Sequence, residues 1–180
     1  MTAGTISRLL AGYILGIGIF IVGIPWLAIL CARLLDRLIG LPQPFTSGVG
    51  LAVFIPLSLF GLFWAVWSNL YLLIIGRGGP TESFGVGISP PTRRLVTSGP
   101  YRHTRNPMVL GALTIYLSTG FLFPSISLFV IIFPVLCILS YLLITRGEEK
   151  RLGRELGEEY LRYREWVPMY LPQPWRVRRP

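Results

Sequence analysis

Two polar clusters in this chain hold side chains able to do chemistry. One is residues 101–107, YRHTRNP, and the other is residues 146–149, RGEE. Guanidinium groups hold carboxylates or phosphates through paired N–H donors, while carboxylates hold cations or accept protons. Arg105 and Arg146 could therefore fix an anionic acceptor, and Glu149 or His103 could deprotonate an amine. A plainer reading uses the same residues. Charges at a helix end serve as solvated anchors, and Glu148/Arg151 and Glu158/Arg162 have the spacing of ordinary helical pairs. His103, the only histidine, lies in loop-like sequence and suits a surface or supporting role better than that of a base.

The stretch between the clusters dictates how they are held. Residues 106–145 contain no Asp, Glu, Lys or Arg. One helix of that length would measure about 60 Å at ~1.5 Å per residue, twice the roughly 30 Å of a bilayer's hydrocarbon core. The stretch must fold back. Residues 120–127, with Gly120 and Pro124, are the place for the break, leaving helices over 107–121 and 125–145. Such a hairpin returns 146–149 to the surface that carries 101–107, where Arg and Glu would face each other. Ionisable groups at a membrane edge are costly unless paired or functional.

The remaining elements follow from the same uneven charge. Residues 9–32 and 38–76 also lack charge, and the whole chain of 180 residues is 14% charged and 52% hydrophobic. A soluble domain carries roughly 25% charged residues, so a water-soluble globule is excluded, and so is disorder. Spans are predicted over 9–31 and 49–75, joined by a loop holding Arg33, Asp36, Arg37, Pro42 and Pro44. The first run is long enough to stay in the membrane and has no small-residue cleavage motif, so it reads as a span. Its Gly12, Gly16, Gly18 and Gly23 suit close helix packing. After residue 146, Leu152, Leu156, Tyr160, Tyr163 and Val167 recur at helical spacing, predicting an amphipathic helix at the cytoplasmic surface. The expected fold is all-α: one domain over 1–180, a polytopic bundle of about four transmembrane helices including a C-terminal hairpin, plus that surface helix.

The net charge of +9 belongs to this frame. Sixteen of the 17 basic residues are Arg clustered beside apolar runs, with no nucleic-acid module among them. Five Arg against one Glu place the 76–107 segment in the cytoplasm, and four spans put both termini with it. Cys31 and Cys137 lie in apolar runs without a neighbouring ligand, as buried small hydrophobes would. Gly85-Val86-Gly87 follows no strand and reads as a flexible loop, and the terminal 175–180, WRVRRP, as a membrane-surface anchor.

Residues 95–111, LVTSGPYRHTRNPMVLG, resemble the pattern L-V-x-x-G-x-Y-x-x-x-R-[HN]-P-x-Y-x-G of integral membrane methyltransferases. Those include the isoprenylcysteine carboxyl methyltransferases and the phospholipid N-methyltransferases. Glu148-Glu149-x-x-Leu152 and residues 157–172, GEEYLRYREWVPMYLP, are similar to the ending of the carboxyl methyltransferases. The resemblance implies S-adenosyl-L-methionine bound between the hairpin and the C-terminal helix, over 93–109 and 146–172. Its contacts carry over to Arg93, Arg94, Leu95, Val96, Tyr101, Asn106, Pro107, Met108, Val109 and Glu148. Arg105, Arg146 and Glu149 are the catalytic candidates beside them. The chain departs from the pattern at Val109, where Tyr is common, and at Asn106, where His is common. Ile144 stands where the prenylcysteine enzymes carry a substrate Arg, with Arg146 close by. The implied reaction is carboxyl methylation of an isoprenylcysteine-like lipophilic acceptor from the membrane, with N-methylation of a phospholipid as the alternative. Sterol reductases, which use a nicotinamide cofactor, share an R-H-x-N-Y-like motif but lack the Glu pair and the V-P-x-x-L-P ending. A non-catalytic scaffold that kept the fold is the third class.

Overall fold

The computed structural model describes residues 12, 14–76 and 94–172. Arg93, the Gly85-Val86-Gly87 loop and the 175–180 anchor lie outside the described residues. Five helices carry the fold: α1 (Ile14–Ile39), α2 (Ser47–Gly76), α3 (Pro107–Leu122), α4 (Leu128–Leu156) and α5 (Glu158–Trp166). No strand occurs among the described residues. Helices α1, α2 and α4 are long and apolar enough to cross a membrane. The apolar α3 has 16 residues, about 24 Å of helix, and is the short arm of the expected hairpin.

Helix α1 differs from expectation at its C-terminal end. It runs through Arg33, Asp36 and Arg37, which the sequence placed in a loop, and stops where Gly40 takes a left-handed conformation at φ 76°. The polar side chains there find partners on the hairpin turn. Asp36 Oδ1 accepts the Ser127 N–H at 2.9 Å, and the Arg33 guanidinium lies 5.1 Å from the Phe123 ring centre. Capping α4 with a carboxylate satisfies amides that have no partner inside the helix. Cys31, expected to be buried, is exposed on α1 instead, and Cys137 is half-buried.

Glycine brings α2 and α3 together. A Cβ on Gly111 would lie 2.5 Å from the Gly61 carbonyl oxygen, and one on Gly61 would lie 2.7 Å from that of Gly111. Only hydrogen fits between two backbones that close, which is how small residues drive helix packing without a hydrophobic gradient. Ser58 and Ser118 then share a hydrogen bond of 2.8 Å across the same interface. At the turn end, Phe45 stacks on Phe121 with ring centres 5.5 Å apart, and Phe121 meets Phe129 edge-on at 4.8 Å. These contacts hold the hairpin against the entry to α2.

Helix α4 continues past residue 145 to Leu156, through a π-helical turn over Ile144–Glu148. The amphipathic helix expected across 152–167 is broken at Gly157, whose φ of 56° no ordinary side chain adopts comfortably. That break turns α5 back so that Tyr160 and Tyr163 are buried.

Candidate active site

The chain enters α3 through a tight turn over Gly99–Arg102 that depends on its glycine. Gly99 has φ 60°, and a Cβ there would fall 2.2 Å from the Tyr71 ring of α2. Beyond the turn, Thr104 is fully buried and acts as a junction. Its hydroxyl donates to the Met169 carbonyl at 2.8 Å and accepts the Asn106 N–H at 3.3 Å. The Arg105 N–H donates to the Pro168 carbonyl at 2.9 Å, and Asn106 Nδ2 donates to the Met169 carbonyl at 3.4 Å. Residues 167–172 thus form a strap across 104–106. The Tyr163 hydroxyl completes the frame by donating to the Tyr101 carbonyl at 2.6 Å.

This frame aims Arg105 at α4. Arg105 Nη1 donates to Glu149 Oε1 in an ion pair whose side chains are 12% and 7% exposed. Among the described residues, Arg105 Nε is buried without a partner, a donor still to be used. Around the pair lies a pocket of about 50 Å³, lined by Leu72, Arg94, Leu95, Val96, Tyr101, Arg105, Asn106, Glu148, Glu149, Leu152, Tyr160 and Tyr163. Burial first, and then the Glu149 charge, push the Tyr160 hydroxyl up to about 12, with Arg105 opposing them. Burial likewise raises Tyr163. Both phenols keep their protons at neutral pH and serve as donors or fixed dipoles.

A second, apolar cavity of about 270 Å³ lies among α1, α2, α3 and α4. The α1 face around Ile17 and Phe20, Ala65 and Asn69 of α2, Met108 to Tyr116 of α3, and Leu136 to Leu143 of α4 form its walls. Asn69 lines this cavity and Leu72, one turn on, lines the polar pocket. Asn69 Nδ2 donates to the Ala65 carbonyl at 3.0 Å and reaches Met108 Sδ at 3.2 Å. The strap touches this side as well, through a 3.1 Å hydrogen bond between the Tyr170 hydroxyl and Ser140 Oγ.

Eight of the residues singled out in sequence line the polar pocket together: Arg94, Leu95, Val96, Tyr101, Arg105, Asn106, Glu148 and Glu149. Met108 and Val109 line the apolar cavity instead, and Pro107 is buried in the first turn of α3. Arg146 is exposed and lines neither space, whereas Ile144 is buried. Two positions along a helix separate side chains by about 200°, so Arg146 does not occupy the place of Ile144. His103 packs against Trp64 and Trp67, its ring centre 6.4 Å from each. Burial, and secondly the Arg102 charge, lower its pKa below the usual 6.5. Sequence reasoning gave no role to Thr104 or Leu72, and it placed 167–172 in the region the resemblance implies for the cofactor without finding that this segment straps 104–106. For Thr104 the only signal was its place inside the motif, and Tyr160 and Tyr163 read both as part of an apolar stripe and as positions of the second motif.

A family model described as phospholipid methyltransferase matches residues 49–159, from the start of α2 to the first turn of α5. No curated protein and no solved structure matches the chain.

Proposed function

Because the chain belongs to the phospholipid methyltransferase family, we propose that it moves a methyl group from S-adenosyl-L-methionine to the carboxylate of a prenylcysteine-like acceptor drawn from the membrane. The residues of the polar pocket fit that cofactor's chemistry. The unused Arg105 Nε can meet a carboxylate, Glu148 can meet an ammonium, and Leu72, Leu95, Val96 and Leu152 offer apolar walls to a purine. When bound, the cofactor supplies a methyl group activated by a sulfonium, a good leaving group. The chain's own residues then have to hold the acceptor in line and exclude water. Arg105 holds an acceptor or cofactor anion, and the strap holds Arg105.

One observation carries the choice of acceptor. The polar pocket, where the reacting end would sit, holds Arg105 with a buried Nε left to donate, which suits a carboxylate. The described lining of the apolar cavity has only Asn69, Ser140 and Tyr116 as polar side chains and suits the acceptor's hydrocarbon tail. A carboxylate acceptor needs no base, whereas a protonated amine does. A phospholipid amine is the second reading, favoured by the family's description, and Glu149 would then be its base. The Arg-rich side bearing the pocket is the cytoplasmic side in both, where a soluble cofactor is available.

Equilibrium binding of S-adenosylhomocysteine to the detergent-solubilised protein tests the cofactor, with Glu148→Ala expected to weaken it at least about tenfold, the loss of one charge-assisted contact. Tight binding of a nicotinamide dinucleotide in its place would sink the reading. Product analysis with a prenyl thioether carboxylate and with phosphatidylethanolamine then decides the acceptor: a methyl ester supports the proposal, and N-methylated lipid alone overturns it.

A further inference from the structure

One side chain lining the apolar cavity, Tyr116, also bridges two helices. Helix α1 takes π-helical form over Ile17–Gly23, and the Ile24 N–H donates to the Ile19 carbonyl, five residues back, in place of Phe20. The next residue, Pro25, has no N–H to give. The Phe20 carbonyl instead accepts the Tyr116 hydroxyl of α3 at 2.7 Å. Tyr116 is 6% exposed, so its phenol needs such a partner, and a bond between two helices fixes where its ring lies. Along α3 the cavity is lined from Met108, two residues past Asn106 of the polar pocket, to Tyr116. Eight residues of helix separate them, about 12 Å at ~1.5 Å per residue.

We infer that Tyr116, pinned to the Phe20 carbonyl of α1, is the residue that sets how long an acceptor chain the enzyme accepts. This rests on the proposed lipophilic acceptor and deepens it. A chain whose reacting end sits at the pocket can extend past Met108 and Ala112 until it meets the phenol ring. A longer chain must displace the ring, break the bond to Phe20 and part α1 from α3.

Methylation of S-geranyl, S-farnesyl and S-geranylgeranyl N-acetylcysteine by protein in detergent, read as kcat/KM ratios, tests this. Replacing the ring in Tyr116→Ala is expected to raise the ratio of the longest to the shortest acceptor at least about tenfold, the size of discrimination that apolar pockets achieve. Filling the cavity one turn nearer its mouth with Ala112→Leu is expected to move the ratio the other way, and this second variant leaves the Tyr116 bond in place. Unchanged ratios in variants that still turn over overturn the inference while leaving the acceptor reading intact. A uniform fall for all three acceptors in both variants also overturns it, since that is the mark of a structural role. Failure of the unaltered protein to methylate any of the three defeats the acceptor reading first, and the inference with it.

Discussion

Arg105 and Glu149 neutralise each other in a place that water barely reaches, so neither can be changed alone without stranding a charge. Removing one member of such a pair typically destabilises by about 3 kcal/mol or more. Glu149→Gln should therefore lower the thermal midpoint in detergent and weaken S-adenosylhomocysteine binding together. The double substitution Arg105→Met with Glu149→Leu should recover much of the midpoint and none of the binding; recovery of both would mean that the pair is structural only. His103 makes a different expectation. Its pKa is lowered in the folded protein, so the unfolded chain binds its proton more readily. Stability is then full above about 6.5 and declines as pH falls through the folded value. Melting curves across that window should show the decline, and His103→Gln should flatten it. At this scale the motifs picked out residues that the fold brings to one pocket, Arg105 and Glu148 among them. It misled at Arg146, because a charge next to a motif says nothing about which side of the helix it takes.

Helices meet in this protein through the residues that have least to offer. The crossing of α2 and α3 depends on Gly61 and Gly111, and a methyl group at Gly111 would overlap the opposing backbone. Gly111→Ala should cost about 2 kcal/mol in overpacking, visible as a lower melting midpoint. Gly147→Ala is the control, since a Cβ there meets nothing within 4 Å, and an equal fall in both would contradict the packing account. The sequence revealed the helices and the hairpin because the absence of charge over 106–145 leaves a chain in lipid no other solution. It did not reveal where α1 ends or that α5 is separate. The Asp36 carboxylate, within the helix, accepts the N–H of Ser127, 91 residues away, and Gly157 breaks the amphipathic pattern while the periodicity runs on through it.

At the scale of the whole molecule, the path of the helices puts the 40–46 loop and the hairpin turn at one end of the bundle and both polar clusters at the other. If the proposed topology holds, single cysteines at Gln43 and Glu158, in a chain with Cys31 and Cys137 replaced by Ala, should differ in labelling. A membrane-impermeant maleimide should reach Gln43→Cys in intact cells and Glu158→Cys only after permeabilisation. Equal labelling would require a different count of spans. The strap has one more consequence. It lies about sixty residues beyond the loop it holds, as the bond from Thr104 to Met169 records. A chain is made from its N-terminus forward, and domains form as their last pieces arrive. Arg105 thus waits unaimed until the residues around 170 have been made, and under the proposed function the nascent protein would have no assembled cofactor pocket before then.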